Sequence, residues 1–334
     1  MAGHAPSGSH EPMRRVRRSS LAAFLALGLL LAGCTGPAPA PSPAQSTSSN
    51  PAPSTQPATG TPSPSGPAQA GTIDHVVIIV MENKPASRIL GADDAPYLNS
   101  LAKDYALAAN YHAITRPSLP NYIALTSGTT AGITSNCNPK ASNCQANVRT
   151  IADEIGESGR QWRMYAEGMP EPCLADDSGR YAVKHNPFMY YPSVTADRQL
   201  CTEHVVPFSW LDEDLKTVQS LPDYVFITPD MCSDTHDCPV QTGDEWLSRQ
   251  VPKILASPAF TTKNSLLVVT YDEGSGSNNQ IVTVFAGPAA RKGYTSETRY
   301  THYSLLRTIE DAWGLDPLTD NDRQAANMAE LLNQ

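Results

Sequence analysis

Acidic and amide side chains follow two apolar runs of this sequence. Glu82 and Asn83 end one run, and Asp272 and Glu273 end another. Clustered carboxylates repel one another unless a positive charge lies between them. Because carboxylate and amide oxygens are hard ligands, a divalent cation suits such a group. Taken alone, Asp272 and Glu273 would also fit a simple turn into the Ser/Gly/Asn loop that follows them.

A serine stands where a helix is expected to begin. Pro120 suits the first turn of a helix, so we predict a helix running to about Ser127 with Ser118 near its N-cap. A serine in this place is commonly only a cap. As a nucleophile it would lie at the positive helix end, where phosphate also binds well and a metal would favour its deprotonation. The chain lacks a GxSxG motif, so an α/β-hydrolase elbow is not supported.

The elements that must position these groups alternate along the chain. Continuous apolar runs, typical of strands buried on both faces, occupy residues 75–80, 223–227, 265–270 and 281–285. Helical patterns occupy residues 96–106, 148–157, 243–255 and 302–313. The alternation predicts an α/β fold with a mostly parallel central sheet and helices on both faces. Ligands bind beyond the carboxyl ends of such strands, which places the acidic segments at one edge.

The N-terminal part has the pattern of an export signal. Arginines at 14, 15, 17 and 18 precede the apolar run 21–31, which is about half the length needed to span a bilayer. The segment Leu31-Ala32-Gly33-Cys34 resembles the lipobox of bacterial lipoproteins. We therefore predict that residues 1–34 are a lipoprotein signal peptide, with Cys34 lipidated on the outer face of the cell membrane. An ordinary signal and a secreted product are the alternative, and Met13 is an alternative start to Met1.

Composition divides the rest of the chain into a tether and a folded part. Residues 35–70 contain only Thr, Gly, Pro, Ala, Ser, Gln and Asn. We predict a disordered tether over 35–72 and one catalytic domain over 73–334. The net charge is -9 although four arginines lie in the leader, so the remainder is more acidic still. Such a charge does not favour nucleic acid as a partner, and we expect a monomer.

Six cysteines remain besides Cys34. They fall in three close couples, which are Cys137 with Cys144, Cys173 with Cys201, and Cys232 with Cys238. Six cysteines allow fifteen connectivities, and proximity alone suggests this sequential pairing. Metal binding is the alternative, but no CxxC pair occurs and the predicted compartment is oxidising, which favours disulfides.

Six short segments occur in the order known from a bacterial phosphoesterase family. They are 80–83, 117–122, 184–188, 235–237, 271–274 and 301–304, and they span nearly all of residues 73–315. The chain thus resembles the family of acid phosphatases and phospholipases C within the alkaline-phosphatase-like superfamily. It is most similar there to secreted actinobacterial acid phosphatases that act on phosphatidylinositol 3-phosphate. The resemblance implies an alkaline-phosphatase-like fold.

The resemblance also implies residue roles. Ser118 matches the nucleophile that becomes phosphorylated. Glu82, Asn83, Asp272 and Glu273 match metal ligands, and the Ser118 oxygen completes the shell. The two-zinc pattern of alkaline phosphatase is not reproduced in full. We therefore expect one divalent metal, which is Mg, Ca, Mn or Zn.

Several further positions match residues near the phosphate in the family. They are Asn121, His185, Asn186, His236, Asp237 and His302. Of these, His185 and His236 are the candidate catalytic acids, while a buried histidine bound to a carbonyl is the alternative for each histidine. Arg116 departs from the family, which often has histidine there. An arginine would still bind phosphate oxygens but would not exchange protons.

These roles together imply a metal-dependent phosphomonoesterase that forms a phosphoserine intermediate. Its substrate would be a phosphomonoester, with phosphoinositides among the candidates. The same site would also suit a phosphodiesterase of the phospholipase C type. A function of another class is a surface-tethered lipoprotein that only binds a phosphorylated ligand.

Overall fold

The protein is described here by a computed structural model, which covers residues 72–333. The predicted signal peptide, Cys34 and the tether up to residue 71 lie outside the described residues. Within residues 72–333, no helix is long and apolar enough to cross a membrane.

Nine strands form one sheet in the described part of the chain. They are β1 (Val76–Met81), β2 (Ala106–His112), β3 (Trp162–Ala166), β4 (Val205–Pro207), β5 (Tyr224–Thr228), β6 (Leu266–Tyr271), β7 (Gln280–Ala286), β8 (Tyr294–Ser296) and β9 (Tyr300–Thr301). Their order is β4-β3-β5-β1-β6-β7-β2-β8, and β9 pairs with β2. Every residue of β1, β5 and β6 is buried, because both faces of the sheet are covered.

The helices connect and cover these strands. They are α1 (Ala86–Ile89), α2 (Pro96–Asp104), α3 (Ser118–Ser127), α4 (Ile151–Glu157), α5 (Pro192–Thr195), α6 (Arg198–His204), α7 (Leu211–Asp214), α8 (Val240–Leu255), α9 (Pro258–Thr261), α10 (His302–Trp313) and α11 (Asp320–Arg323). Helix α3 ends at Gly128, whose left-handed φ of 70° lets the chain leave the helix.

The predicted α/β class and mostly parallel sheet are confirmed. Strands β3, β4, β5, β1 and β6 run parallel, whereas β7 pairs antiparallel with β6 and β2. All four predicted strands exist, but the sequence patterns missed the other five. The predicted helix 96–106 ends at Asp104, and residue 106 already belongs to β2. The polar side chains of β2, such as Asn110 and His112, hide its strand character.

All three predicted disulfides are confirmed. Cys137 is bonded to Cys144, Cys173 to Cys201, and Cys232 to Cys238. The last bond closes a short loop directly after β5. That loop carries three polar residues of the candidate site, described below.

A pair of buried acids joins the last two helices. Glu310 of α10 and Asp322 of α11 are both fully buried, and each has one carboxylate oxygen without a hydrogen-bond partner. Burial and the neighbouring Asp322 together raise the pKa of Glu310 to about 9. A neutral Glu310 can donate its proton to the Asp322 carboxylate. The folded protein therefore holds a proton that the unfolded chain releases near pH 4.5.

This proton makes stability depend on pH. Because the pKa of Glu310 is raised in the folded state, its contribution to stability is present below about pH 4.5 and is lost as the pH rises toward 9. We predict that Glu310→Gln, which keeps the shape without the titration, loses less stability between pH 5 and pH 9 than the wild type. The difference in unfolding free energy should reach at least about 1 kcal/mol, measured by urea denaturation.

The exposed Glu297 provides the matched control. Glu297→Gln should follow the wild-type dependence on pH, since this side chain is surrounded by water. Equal slopes for Glu310→Gln and the wild type would contradict the shared proton.

Candidate active site

The register of β1 and β6 brings two predicted metal ligands together. Met81 lies opposite Tyr271, so Glu82 and Asp272 leave the sheet side by side. The Asp272 Oδ1 atom accepts a hydrogen bond of 2.9 Å from the Asn83 backbone N–H. Asn83 has a φ of 61°, a left-handed conformation that asparagine tolerates, and this turns the chain at the strand end. The strand-end prediction for these residues is thus matched by their positions.

Ser118 is the first residue of α3 and faces the same carboxylates. Its Oγ donates to Glu82 Oε2 over 3.2 Å, and the side chain is buried. Tyr122, one turn further along α3, donates its hydroxyl to Glu82 Oε1 over 2.7 Å. Pro120 lies in the first turn of this helix, as its position in the sequence suggests. The candidate nucleophile and the candidate ligand Glu82 are therefore in direct contact.

Glu273 lies beside Asn121. The amide nitrogen of Asn121 is 3.3 Å from Glu273 Oε2 and also donates to Thr115 O. Its amide oxygen accepts the backbone N–H groups of Ile114 and Thr115, each over 3.0 Å. The polar atoms of Asn121 are thus occupied by the loop before Ser118. This placement does not support the predicted phosphate contact, and it makes Asn121 a support of the serine loop.

The disulfide loop after β5 supplies an acid that the sequence reasoning missed. Asp234 is buried, and its Oδ2 lies 3.2 Å from His185 Nδ1. The other ring nitrogen of His185, Nε2, lies 3.0 Å from Glu82 Oε1 without the geometry of a hydrogen bond. His185 therefore stands between two carboxylates. The sequence feature that could have indicated Asp234 is the presence of two acids between Cys232 and Cys238.

His236 and Asp237 form a pair at the rim. His236 Nδ1 lies 2.7 Å from Asp237 Oδ1, and its backbone N–H donates to Asp234 Oδ1 over 2.7 Å. The second ring nitrogen, Nε2, lies 3.0 Å from the Lys184 ammonium. The His185 and His236 rings have centroids 5.8 Å apart. The two candidate catalytic histidines are thus neighbours on the same side of Glu82.

Burial dominates the electrostatics of this group. It raises the pKa of Asp272 to about 6 and that of Asp234 to about 8. Burial, together with the charge of Asp272, raises the pKa of Glu273 to about 8 and moves that of Glu82 well above its ordinary value. The free oxygens Asp272 Oδ2 and Asp234 Oδ2 have no hydrogen-bond partner among the described residues. Such a group of acids is suited to a cation.

Two overlapping sets of ligand atoms are available for a cation. The predicted oxygen set combines Glu82, Asn83, Ser118, Asp272 and Glu273. A second set combines Glu82, His185 and His236, whose candidate ligand atoms lie within 4.8 Å of one another. Both sets share Glu82, the most deeply placed acid of the site.

Two predicted phosphate-binding residues, His302 and Asn186, bind other groups of the protein. Both ring nitrogens of His302 are occupied, Nε2 by the Asp272 carbonyl at 2.7 Å and Nδ1 by the Tyr111 hydroxyl at 3.2 Å. His302 therefore supports the backbone of Asp272. The amide nitrogen of Asn186 binds the Tyr181 hydroxyl within its own loop, over 3.1 Å. Neither placement supports a contact with phosphate.

Arg116 also binds another loop of the protein. Its guanidinium donates to the carbonyl of Gly274 over 2.9 Å, to that of Gly276 over 2.7 Å, and to Asn279 Oδ1 over 3.1 Å. It thereby fastens the loop that follows Glu273 to the loop that precedes Ser118. The expected phosphate contact of Arg116 is not supported, because these oxygens engage its Nε and Nη2 donors.

Solved structures share the fold of this chain. A protein of the alkaline phosphatase superfamily from Vibrio parahaemolyticus matches with a TM-score of 0.56 and 14% identity, over 75% of this chain and 69% of that one. The lipoteichoic acid synthase LtaP from Listeria monocytogenes matches with a TM-score of 0.51 and 10% identity, over 77% of each chain. At such identities these similarities describe the fold alone. The predicted alkaline-phosphatase-like architecture is confirmed.

Curated relatives are closer in sequence. The phosphatidylinositol-3-phosphatase of Mycobacterium tuberculosis is 39% identical over 73% of this chain and 78% of its own length. The phosphate-repressible acid phosphatase of Penicillium chrysogenum is 35% identical over 66% of this chain, and the acid phosphatase of Aspergillus niger is 33% identical over 74%. The chain spans only 55% and 60% of these two fungal proteins.

The sequence profile of the Phosphoesterase family matches residues 88–316, more than half of the chain. This range contains the candidate nucleophile Ser118 and the acids Asp234, Asp272 and Glu273. The chain therefore belongs to the Phosphoesterase family and is a hydrolase that acts on phosphoric ester bonds.

Proposed function

We propose that this protein is a metal-dependent phosphomonoesterase that acts through a phosphoserine intermediate. The observation that carries the proposal is the position of Ser118. Its Oγ lies 3.2 Å from Glu82 Oε2, at the start of α3 and beside the buried Asp272. A serine hydroxyl is a weak nucleophile by itself, and adjacent acids and a metal are known means of activating it.

The residues present fit a divalent cation. Asp272 is buried with its Oδ2 unpartnered, and the ionised forms of Glu82 and Glu273 are disfavoured without added positive charge. We assign the cation to Glu82, Asn83, Asp272, Glu273 and the Ser118 oxygen, an oxygen-rich set that favours a hard metal. When bound, the cation would supply Lewis-acid stabilisation of negative charge on oxygen.

We assign the steps of the reaction to individual residues of the chain. Ser118 Oγ passes its proton to the Glu82 carboxylate that it contacts and forms a bond to phosphorus, while the bond to the ester oxygen on the opposite side breaks and the alcohol leaves. Water later displaces Ser118 from the phosphoserine and releases inorganic phosphate. Tyr122 holds Glu82 in place by its hydrogen bond of 2.7 Å. His236 is the group we assign to protonate the leaving oxygen, with His185 behind it: since Asp237 holds the proton on Nδ1, His236 would first take up a second proton on Nε2 and then pass it on.

The substrate class follows from the relatives and remains part of the proposal. One relative is named a phosphatidylinositol-3-phosphatase, and the fungal relatives are named acid phosphatases. We propose phosphomonoesters as substrates, including phosphoinositides. Export with a lipid anchor at Cys34, and action as a monomer, are further proposals. An anchored enzyme would meet lipid substrates in the plane of a membrane.

The first prediction about the reaction concerns the nucleophile. Ser118→Ala removes the only atom that can form the covalent intermediate, so kcat for p-nitrophenyl phosphate should fall by about a thousandfold or more. The assay measures p-nitrophenol release by residues 72–334 with added divalent metal. Wild-type protein should hydrolyse this monoester faster than bis(p-nitrophenyl) phosphate, and it should release phosphate from phosphatidylinositol 3-phosphate.

Ser100→Ala is the matched control, since Ser100 is an exposed serine of α2. It should retain wild-type turnover. Near-normal activity of Ser118→Ala would refute the phosphoserine mechanism. Faster cleavage of the diester would favour a phosphodiesterase, and binding of phosphate without turnover by wild type would favour a ligand-binding lipoprotein.

The second prediction concerns the metal. Asp272→Asn removes one negative charge from the proposed ligand set while keeping its size, so affinity for the divalent metal should fall by about tenfold or more. The measurement is metal content after equilibrium dialysis, determined by elemental mass spectrometry. Wild-type protein should retain one equivalent, and a chelator should remove both the metal and the activity.

Asp244→Asn controls for the loss of a buried aspartate. Asp244 accepts the backbone N–H groups of Tyr97 and Leu98 at the start of α2 and takes no part in the site. This variant should lose stability but keep its metal. Full metal content in Asp272→Asn would argue for the alternative ligand set of Glu82, His185 and His236.

A further inference from the structure

One cation of the site contacts a candidate catalytic histidine. Lys184 lies in a short 3-10 helix, Val183–His185, and is half-buried. No salt bridge within residues 72–333 involves its ammonium group, although several carboxylates lie nearby. Its one side-chain hydrogen bond in the described part of the chain is the contact of 3.0 Å with His236 Nε2.

The chemistry of this contact fixes the direction of the hydrogen bond. An ammonium group can only donate, so His236 Nε2 accepts, and the ring carries its proton on Nδ1 toward Asp237. Lys184 has three N–H donors, of which this bond uses one. Two strong donors of a half-buried cation are therefore left for another acceptor.

The surroundings of Lys184 belong to the reaction site. Its charge lowers the pKa of Glu82, Asp234 and Glu273 against the effect of burial, which shows that the ammonium acts on all three acids. The ammonium of Lys84 also lies near these acids, but its hydrogen bond of 2.6 Å is to the Thr235 carbonyl. Lys184 instead contacts the imidazole of His236, the group assigned to the leaving oxygen.

A row of contacts connects Lys184 with the nucleophile. Ser118 Oγ contacts Glu82, Glu82 Oε1 lies 3.0 Å from His185 Nε2, and ligand atoms of Glu82, His185 and His236 lie within 4.8 Å of one another. Lys184 then follows His236 at 3.0 Å. A phosphate seated between Ser118 and His236 would therefore have the ammonium within reach of its outer oxygens.

We propose that Lys184 binds a non-bridging oxygen of the substrate phosphate and selects monoesters over diesters. This inference rests on the proposed function and extends it to a residue without an assigned role. A monoester carries nearly two negative charges at neutral pH, whereas a diester carries one. A free ammonium therefore stabilises the bound monoester more strongly, through charge-assisted hydrogen bonds.

The test measures phosphate binding apart from turnover. Inorganic phosphate is titrated calorimetrically into metal-loaded Ser118→Ala protein, with and without Lys184→Met. The second substitution should weaken the affinity at least tenfold, which corresponds to about 1.4 kcal/mol. Lys184→Arg, which restores the charge, should remain within about threefold of the parent. Lys103→Met, at an exposed lysine of α2, is the control and should change nothing.

Kinetics on proteins with intact Ser118 supply the second readout. Lys184→Met should raise KM for p-nitrophenyl phosphate and lower the ratio of monoester to diester kcat/KM at least fivefold. Unchanged phosphate affinity with a reduced kcat for both esters would overturn the proposal, since Lys184 would then only position His236. Should Lys184→Met fail to fold, as judged by circular dichroism, Lys184→Gln takes its place with the same expectations.

The failure of this inference can be told apart from failure of the proposed function. If the wild type hydrolyses neither ester, the phosphatase proposal fails. The calorimetric comparison still decides whether Lys184 binds phosphate. If the wild type is active and both Lys184 readouts are unchanged, only the role of Lys184 is refuted.

Discussion

The burial of several carboxylates close together is the constraint on which the rest of this structure depends. The parallel register of β1 and β6 places Glu82 next to Asp272, and the loop after β5 brings Asp234 against the same group. Removing carboxylates from water costs several kcal/mol for each ion unless hydrogen bonds and opposite charge compensate. The neighbours of this group can be understood as compensation. Tyr122 and Ser118 donate to Glu82, and Lys184 contributes charge.

The outer contacts keep these compensating groups in place. His302, at the start of α10, binds the backbone carbonyl of Asp272, and Asn121 binds the loop before Ser118. Arg116 ties that loop to the segment after Glu273. Each of these residues was expected to touch phosphate, and each instead holds the backbone beside the proposed nucleophile or a proposed metal ligand. Residues that match a family motif can therefore support the geometry of a candidate site from its periphery.

The sequence allowed the centre of the site to be predicted better than its periphery. The apolar runs that end in Glu82 and Asp272 are typical of strands buried on both faces. The ends of these runs therefore indicate one edge of the sheet. Ser118 is located by Pro120, which marks the first turn of the same helix. Asp234 was missed because nothing local separates it from other loop acids, and only the register of β5 with β1 brings it close. Strand β7 was predicted, but its antiparallel direction was not, because the direction of a strand depends on the connection that leads to it and not on its apolar pattern. Strand β2 was not predicted, because its polar side chains interrupt the apolar pattern.

Two groups of buried acids in this domain reduce the cost of burying negative charge in different ways. Among the eight buried side-chain atoms without partners in the described residues, three belong to His185, Asp234 and Asp272 at the candidate site, and three to Glu154, Glu310 and Asp322. The second group adjoins Arg149, which lies 3.5 Å from Glu154, and its two fully buried acids can share a proton. At the candidate site the acids are more numerous, and a serine, two imidazoles and an ammonium surround them. One shared proton cannot neutralise so many carboxylates, and nitrogen and oxygen ligands already converge there. A proton therefore suits the group around Glu310, whereas a cation suits the group at the candidate site.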